Sequence, residues 1–300
     1  MKLGMSIKTW ILATRPWSLV MTFVSVSLAG ILAFGNGSFS PALFLMTMVG
    51  LMLAHLASNM ANDYFDVKHG VDHKDSPTSQ YRSHPLLSGS INKGSFKTAI
   101  VVTYMVALIL GLAIAWIRGL PVLMFTALGL FFGLFYTADP VVYKAKSLGE
   151  ISVFMVWGPL MVGGSYYVLT DSIDYVPMLV STPVGILVSL VLLANNLRDV
   201  EYDKSVGVET IVRNKTQGLE LFKWMLVSVY ASTILLILGR LLSPLSLITL
   251  LTIKEAKGIF DVFEEKIPPA ADPMTAQLAL HFGLLLLAGE IAYSLLTFLI

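Results

Sequence analysis

The sequence of 300 residues contains no cysteine and few charged residues. The absence of cysteine excludes disulfide bonds and thiolate metal sites. Charged residues form only 13% of the chain and hydrophobic residues 56%, whereas a soluble domain has about 25% charged and about 45–50% apolar residues. The alternation of apolar and polar residues that marks membrane β-strands is also lacking. With a mean hydropathy of +0.77, the composition therefore indicates a helical integral membrane protein.

Apolar segments recur along the whole chain. A membrane-spanning helix needs about 20 predominantly apolar residues. The nine candidate spans are residues 15–35, 41–62, 96–117, 120–137, 150–169, 176–197, 219–240, 243–263 and 275–299. The eighth contains Lys254, Glu255 and Lys257, so it either crosses the bilayer or leaves it early as an amphipathic helix. The sequence predicts an all-α bundle of nine transmembrane helices in a single domain, residues 1–300.

The positions of the basic residues test this topology. Of the 20 Lys and Arg residues, all but Arg118 and Arg240 fall on the side that carries the N-terminus and the loops after spans 2, 4, 6 and 8. Cytoplasmic loops of membrane proteins are enriched in Lys and Arg. This side is therefore predicted to face the cytoplasm, with the protein in the cell (cytoplasmic) membrane. Membrane lipid is an expected partner and nucleic acid is not.

Two acidic clusters follow spans 2 and 6, so both are predicted on the cytoplasmic face. Their members at helical spacing are Asn59, Asn62, Asp63 and Asp66 in the first cluster and Asn195, Asp199 and Asp203 in the second. Residues three or four apart share one face of a helix, and carboxylates in a membrane segment are unfavourable unless they are paired or bind a cation. Mg²⁺ binds through a few carboxylates together with substrate phosphate oxygens. We therefore predict two Mg²⁺-holding clusters that face one diphosphate.

Basic and aromatic side chains on the same face would complete an anion site. Lys and Arg stabilise a departing diphosphate, and the candidates are Arg82, Lys144, Lys146, Arg198 and Arg213. Lys146 stands out because it lies in YTADPVVYKAKSLGE, between the end of one span and Glu150 at the start of the next. Tyr136 is a candidate for stabilising a carbocation, although aromatic residues are also common at membrane interfaces.

Several of these residues also have a purely structural interpretation. Helix capping or a solvated loop position accounts equally well for Asp72, Asp75, Glu201 and Glu209. His55, inside span 2, suits a buried hydrogen bond as well as a substrate contact. Arg15, in TRPW, is typical of an interfacial anchor, with a site role as the alternative. Glu290 lies deep in span 9 and has no evident partner in the sequence.

At these residues the chain resembles the UbiA superfamily of intramembrane aromatic prenyltransferases. The first motif of that superfamily is N-D-x-x-D-x-x-x-D, and Asn62, Asp63 and Asp66 match it. Gly70 stands at the last acidic position, and the next acid is Asp72. This variant is similar to that of the 1,4-dihydroxy-2-naphthoate polyprenyltransferases of menaquinone synthesis.

Further motifs extend the resemblance over nearly the whole chain. They are RPWSL at 15–19, HPLLSG at 84–89, YTADP at 136–140, LGE at 148–150 and NNLRDVEYD at 195–203. Two positions depart from the family pattern. His84 replaces the arginine of the commoner RPLxSG, and Val208 replaces the lysine of D-x-x-x-G-K-x-T.

The resemblance implies Mg²⁺-dependent transfer of a polyprenyl group from polyprenyl diphosphate to an aromatic acceptor, foremost 1,4-dihydroxy-2-naphthoate. The implied catalytic residues are Asp63, Asp66, Asp199 and Asp203, which would hold Mg²⁺, and Lys146, with Asn62 and Asn195 as substrate contacts. From the residues themselves we also predict that Asn59, Arg82, Arg198 and Tyr136 bind the substrate. Alternative acceptors are 4-hydroxybenzoate, homogentisate, a haem or a glycerol lipid. Outside the superfamily, a CDP-alcohol phosphotransferase would need a motif that is absent, and a cation transporter would favour acids at mid-membrane.

Overall fold

The structure is a computed structural model that describes residues 7–74, 76–77 and 83–299. Its α-helices are α1 (Ile7–Ala13), α2 (Leu19–Gly35), α3 (Pro41–His69), α4 (Lys93–Arg118), α5 (Leu120–Phe135), α6 (Gly149–Thr170), α7 (Thr182–Ser205), α8 (Lys215–Leu238), α9 (Ile253–Glu265) and α10 (Ala271–Leu299). Short helical segments at Pro16–Ser18, Tyr143–Ala145, Val176–Val180 and Pro244–Thr252 lie between them. Within the described residues the one β-type pairing is an isolated bridge between Lys146 and Glu209.

The all-α prediction is confirmed, and helical segments occupy all nine predicted positions. Seven helical segments in the described part of the chain are long and apolar enough to cross a membrane. Two predicted spans need correction. The fourth is the shorter helix α5, and the eighth divides into the 3₁₀ segment Pro244–Thr252 and helix α9. Charged residues interrupt the apolar pattern of α9, so only one face of this helix, including Ile259 and Phe263, is buried.

The two helices that carry the acidic clusters extend further than the apolar runs predicted. Helix α3 continues to His69 rather than ending at residue 62, and α7 continues to Ser205 rather than to 197. Gly70 ends α3 with a left-handed φ of 77°, a conformation that glycine adopts without steric penalty. The acids therefore lie on the last helical turns, where backbone geometry orients them, instead of in loops.

The core is formed largely by α2, α6, α7, α8 and α10. By contrast, α4 and α5 direct large apolar side chains outward, including Ile109, Trp116 and Met124. Such extensive exposed apolar surface is typical of a face that contacts lipid.

Helices α6 and α7 approach each other closely at two glycines. A Cβ atom on Gly158 would lie 3.4 Å from the Cα of Gly185, and a Cβ on Gly185 would lie 3.0 Å from the carbonyl oxygen of Phe154. Pro159 cannot donate a helical hydrogen bond, and α6 makes a π-helical turn around it. This close packing fixes the start of α6, where Glu150 lies, against α7.

Glu290 has partners that the sequence does not reveal. The backbone N–H of Ser243 donates a 2.8 Å hydrogen bond to Glu290 Oε1, and the Ser246 hydroxyl donates to the same oxygen. The carboxylate therefore caps the start of the 3₁₀ segment Pro244–Thr252, where backbone N–H groups lack helical partners. Its role is structural, and it lies within α10 rather than among the acidic clusters.

Candidate active site

The two acidic clusters meet at one end of the bundle. The Tyr202 hydroxyl of α7 donates a 2.5 Å hydrogen bond to the carbonyl oxygen of Val71, which is 131 positions away in the sequence. The ring of His73 lies 5.9 Å from that of Tyr202. Asp203 interacts electrostatically with Asp66 across the gap between the helices. The ends of α3 and α7 therefore face the same space.

In the first cluster, each aspartate receives a cation from a distant segment. Asp63 has no exposed surface and accepts a hydrogen bond from the Arg15 guanidinium. Asp66 is 5% exposed and accepts one from the Lys144 ammonium. Lys144 Nζ also lies 3.1 Å from Asn62 Oδ1, to which it donates. Buried charges need such partners, so the first cluster is neutralised by contacts from two other parts of the chain.

The turn before α2 places Arg15 over the first cluster. Arg15 has a left-handed φ of 53° and precedes Pro16. Asn59 Nδ2 donates to the Thr14 carbonyl at 3.0 Å and to the Ser18 hydroxyl at 2.9 Å. The ring nitrogens of His55 also contact this region, since Nε2 lies 3.1 Å from the hydroxyl of Ser18. Asn59 and His55 thus support the turn, and a substrate contact of Asn59 stays a prediction.

In the second cluster, one arginine organises the acids. Arg198 donates through Nε and Nη2 to the two carboxylate oxygens of Asp199, at 2.8 and 2.6 Å. The same Nη2 donates to Asn195 Oδ1 at 2.6 Å, and Nη1 donates to Asp272 of α10. A bidentate guanidinium–carboxylate pair is strong and geometrically specific. The position of Asp272 could not be anticipated, because no motif connects it to the acidic clusters.

Two nearby lysines have different surroundings. Lys144 reaches the first acidic cluster, as described, and its Nζ lies 6.0 Å from the centre of the Tyr136 ring. The side chain of Lys146 is exposed, and its residue takes part in the backbone bridge to Glu209. The structure thus brings Lys144 to the acids. The expected catalytic role of Lys146 stays a prediction, and nothing in the spacing of this irregular segment could separate the two.

The remaining predicted residues lie at the margin of the site or outside the described chain. Tyr136 packs edge-on against Tyr143, with ring centres 5.4 Å apart. Arg213 is exposed, and its backbone N–H donates to Gln217 Oε1. Arg82 and Asp75 lie outside the residues that the structure describes. Any contact of these two with the clusters stays a prediction.

Asp72 turns back towards the first cluster and is buried. Its backbone N–H donates to the Asp66 carbonyl at 3.1 Å, and Asp72 Oδ2 lies 3.5 Å from His84 Nε2. Burial alone would raise the pKa of Asp72, but the neighbouring His84 and the positive charges of Lys144 and Arg15 lower it below the ordinary value. Asp72 is therefore ionised and enclosed, which excludes the solvated-loop interpretation.

Comparison with known proteins identifies the family of the chain. The model of the UbiA prenyltransferase family matches residues 23–254. The chain belongs to this family. As a UbiA-family protein it is a prenyltransferase, and the all-helical architecture predicted for an integral membrane enzyme is confirmed.

Two relatives of this UbiA-family enzyme carry the same name. The chain is 27% identical to the 1,4-dihydroxy-2-naphthoate octaprenyltransferase of Bacillus subtilis (strain 168), over 92% of this chain and 90% of the relative. It is 30% identical to the 1,4-dihydroxy-2-naphthoate octaprenyltransferase of Escherichia coli (strain K12), over 68% of each. A solved UbiA homolog from Archaeoglobus fulgidus, bound to GPP and Mg²⁺, shares the fold at 14% identity, with a TM-score of 0.65 over 93% of this chain and 99% of that one.

The donor atoms of this prenyltransferase fit a divalent cation. The oxygen-bearing side chains on the two facing helix ends are Asn62, Asp63, Asp66, Asn195, Asp199 and Asp203. Carboxylate and amide oxygens are the ligands that hard divalent cations such as Mg²⁺ prefer. Lys144 and Arg198 lie beside them and supply positive charge for an anionic substrate. The two helix ends therefore combine oxygens of the kind that bind divalent cations with nitrogens of the kind that bind phosphate.

Proposed function

We propose that this UbiA-family enzyme transfers a polyprenyl group from polyprenyl diphosphate to 1,4-dihydroxy-2-naphthoate, with Mg²⁺, in menaquinone biosynthesis. The meeting of two acidic helix ends, each accompanied by a basic side chain, is the observation that carries the proposal. The GPP and Mg²⁺ bound by the archaeal homolog support the donor and the metal. The two relatives named for 1,4-dihydroxy-2-naphthoate support the acceptor.

The acids and bases of the site have separate roles in this proposal. Asp66, Asp199 and Asp203 would hold Mg²⁺, which neutralises the charge that develops on the departing diphosphate. Lys144 and Arg198 would donate charge-assisted hydrogen bonds to the diphosphate oxygens. Both already lie against these acids, so they need only exchange one anionic partner for another. Asp63 was predicted as a further ligand, and because Arg15 pairs with its Oδ1, it would bind the metal through Oδ2.

The chemistry joins the tail to the ring without a covalent enzyme intermediate. The allylic C–O bond of the donor breaks, and its electron pair leaves with the diphosphate. The ring carbon that bears the carboxylate forms the new C–C bond, and the carboxylate then departs as CO₂, returning its electron pair to the ring. In this proposal Tyr136, whose ring lies beside Lys144, would stabilise the allylic cation through its π-face.

The tail requires an apolar space beside the site. A cavity of about 120 Å³ lies between α3, α4, α5 and α6, lined by residues such as Ala54, Gly111, Gly129 and Phe125. We assign the isoprenoid tail to this region of the bundle. The concentration of Lys and Arg on the acidic end supports a site that faces the cytoplasm from the cytoplasmic membrane.

The deciding experiment supplies purified protein in lipid nanodiscs with one polyprenyl diphosphate, Mg²⁺ and a panel of aromatic acceptors. We expect mass spectrometry to detect the product of 1,4-dihydroxy-2-naphthoate with loss of CO₂. A chelator should abolish this product, and Mg²⁺ should restore it. Product formed only with 4-hydroxybenzoate, homogentisate or a glycerol lipid would contradict the proposed acceptor. Ion flux through the discs without diphosphate release would contradict an enzyme altogether.

A further inference from the structure

His84 forms a buried cluster with two aspartates beside the proposed active site. The residue is 3% exposed, and its Nε2 lies 3.5 Å from Asp72 Oδ2 and 4.0 Å from Asp63 Oδ2. One ligand atom from each of the three side chains lies within 4.8 Å of the others, close enough to hold a metal ion. Nε2 makes no direct hydrogen bond to any described residue. The cluster therefore allows two interpretations of His84. It is either a metal ligand or a hydrogen-bond donor that points at the two carboxylates.

The other ring nitrogen distinguishes these interpretations. The backbone N–H of Leu87 donates to His84 Nδ1 at 3.4 Å. A nitrogen that accepts a hydrogen bond carries no proton, so the ring proton lies on Nε2. A metal-bound histidine has the opposite arrangement, since it binds through a bare nitrogen and donates from the other one. The contact with Leu87 therefore favours Nε2–H as a donor.

The negative charges of Asp63 and Asp72 also favour an Nε2–H donor. Asp63 and Asp72 are two buried carboxylates close together, and like charges at this range repel strongly where water is excluded. Arg15 contacts Asp63 Oδ1, and His84 Nε2 lies 4.0 Å from the other oxygen, Oδ2. An N–H group that points between Asp63 Oδ2 and Asp72 would stabilise both negative charges.

We propose that His84 is a positioning residue whose Nε2–H holds Asp72 and Asp63 beside the metal-binding acids, and that it does not bind the metal. The inference rests on the proposed function. Asp72 in turn is bonded through its backbone to the last turn of α3, at the Asp66 carbonyl. Through this connection, His84 orients the helix end that presents Asp66 to the substrate.

Two substitutions of opposite chemistry test the proposal. His84→Gln can keep an N–H donor near the position of Nε2 but removes the imidazole. His84→Glu keeps a good metal ligand but removes the donor and adds a negative charge. With Mg²⁺ saturating, we expect kcat of His84→Gln within about 3-fold of wild type. We expect kcat of His84→Glu to be lower by roughly 10-fold or more, because a negative charge beside two buried carboxylates is repelled strongly. The same change at a distant histidine, His281→Gln, is the control and should leave kcat unchanged.

Any other ranking overturns the proposal, including an active His84→Glu or equal loss in both variants. A measurement independent of activity is ¹⁵N NMR of histidine-labelled wild type, in which five histidines contribute and His84→Gln identifies the signal. We expect a protonated Nε2 that keeps its proton when Mg²⁺ or Zn²⁺ is added. Loss of that proton on metal binding would identify a ligand and refute the inference. A wild type without prenyl transfer would refute the proposed function but leave this NMR result standing.

Discussion

The two acidic helix ends differ in where their positive partners originate. At the end of α3, Asp63 pairs with Arg15 from 48 positions earlier, and Asp66 pairs with Lys144 from 78 positions later. At the end of α7, Asp199 pairs with the adjacent Arg198. The first end is therefore assembled by tertiary contacts, whereas the second is largely built within its own helix.

This difference means that the two acidic helix ends depend to different degrees on the rest of the molecule. Helix α7 supplies its own counter-ion, so its end needs only one contact that holds Arg198 in position. Asp272 of α10 provides this contact by accepting a hydrogen bond from Arg198. The first end depends on the turn before α2 and on the segment before α6 both being in place. We infer that changes elsewhere in the molecule disturb the first end more readily than the second.

The largest effect is expected when either end loses a proposed metal-binding carboxylate. Asp66→Asn and Asp199→Asn should each lower prenyl transfer by about 100-fold or more, as when a preorganised electrostatic group is removed from a site. Both variants should remain folded in the membrane, as measured by helical circular dichroism and size-exclusion chromatography in detergent. Full activity in either variant would contradict the assignment of that end to the metal.

Substitutions of Lys144 and Lys146, the two lysines near the end of α3, should have smaller effects that differ from each other. Lys144→Met should reduce kcat roughly 10- to 100-fold, because it removes a donor from the diphosphate site. Lys146→Met is the matched control two residues away, and its exposed side chain should contribute less than about 3-fold. Comparing steady-state rates of the two variants decides which lysine acts. A larger loss in Lys146→Met would restore the role predicted for it from the sequence.

The anchor of the second end should give a smaller effect still. Asp272→Asn weakens the hold on Arg198 but leaves the bidentate pair with Asp199 intact, so kcat/KM should fall only about 3- to 10-fold. Asp261→Asn, an exposed acid on α9, is the control and should be neutral. If Asp272→Asn lowered kcat/KM as much as Asp199→Asn, the end of α7 would also depend on tertiary contacts. The difference between the two acidic helix ends would then disappear.

The smallest effect on activity is expected for a substitution of Glu290, a buried acid that lies outside both acidic helix ends. Glu290→Gln removes a charged acceptor from Ser243 and Ser246, which should lower the free energy of unfolding by about 1–3 kcal/mol. Thermal unfolding in detergent measures this loss. Prenyl transfer well below the unfolding temperature should stay within about 2-fold of wild type, because this carboxylate caps a helical segment and contacts Ser243 and Ser246, which lie outside the two acidic helix ends. A specific loss of kcat would give Glu290 a role in the reaction.

Sequence patterns predicted the helical segments but not their limits. The apolar run of span 2 ends near residue 62, yet α3 continues to His69 because backbone hydrogen bonding and Gly70, rather than hydropathy, end a helix. The same reasoning explains the eighth predicted span. There the charges of α9 weaken the apolar signal, and the 3₁₀ segment before it is stabilised by Glu290, 47 positions from Ser243.

The sequence by itself determined the membrane setting, the nine helical segments, the two acidic clusters and the family, because hydropathy, charge asymmetry and helical spacing are local properties of the chain. The tertiary structure decided which partners the acids have. It brought Lys144 rather than Lys146 to Asp66, buried Asp72 beside His84 and tied Arg198 to Asp272. The contacts of Lys144 and Arg198 join residues 78 and 74 positions apart in the sequence, and only packing of the whole bundle brings them within hydrogen-bonding distance.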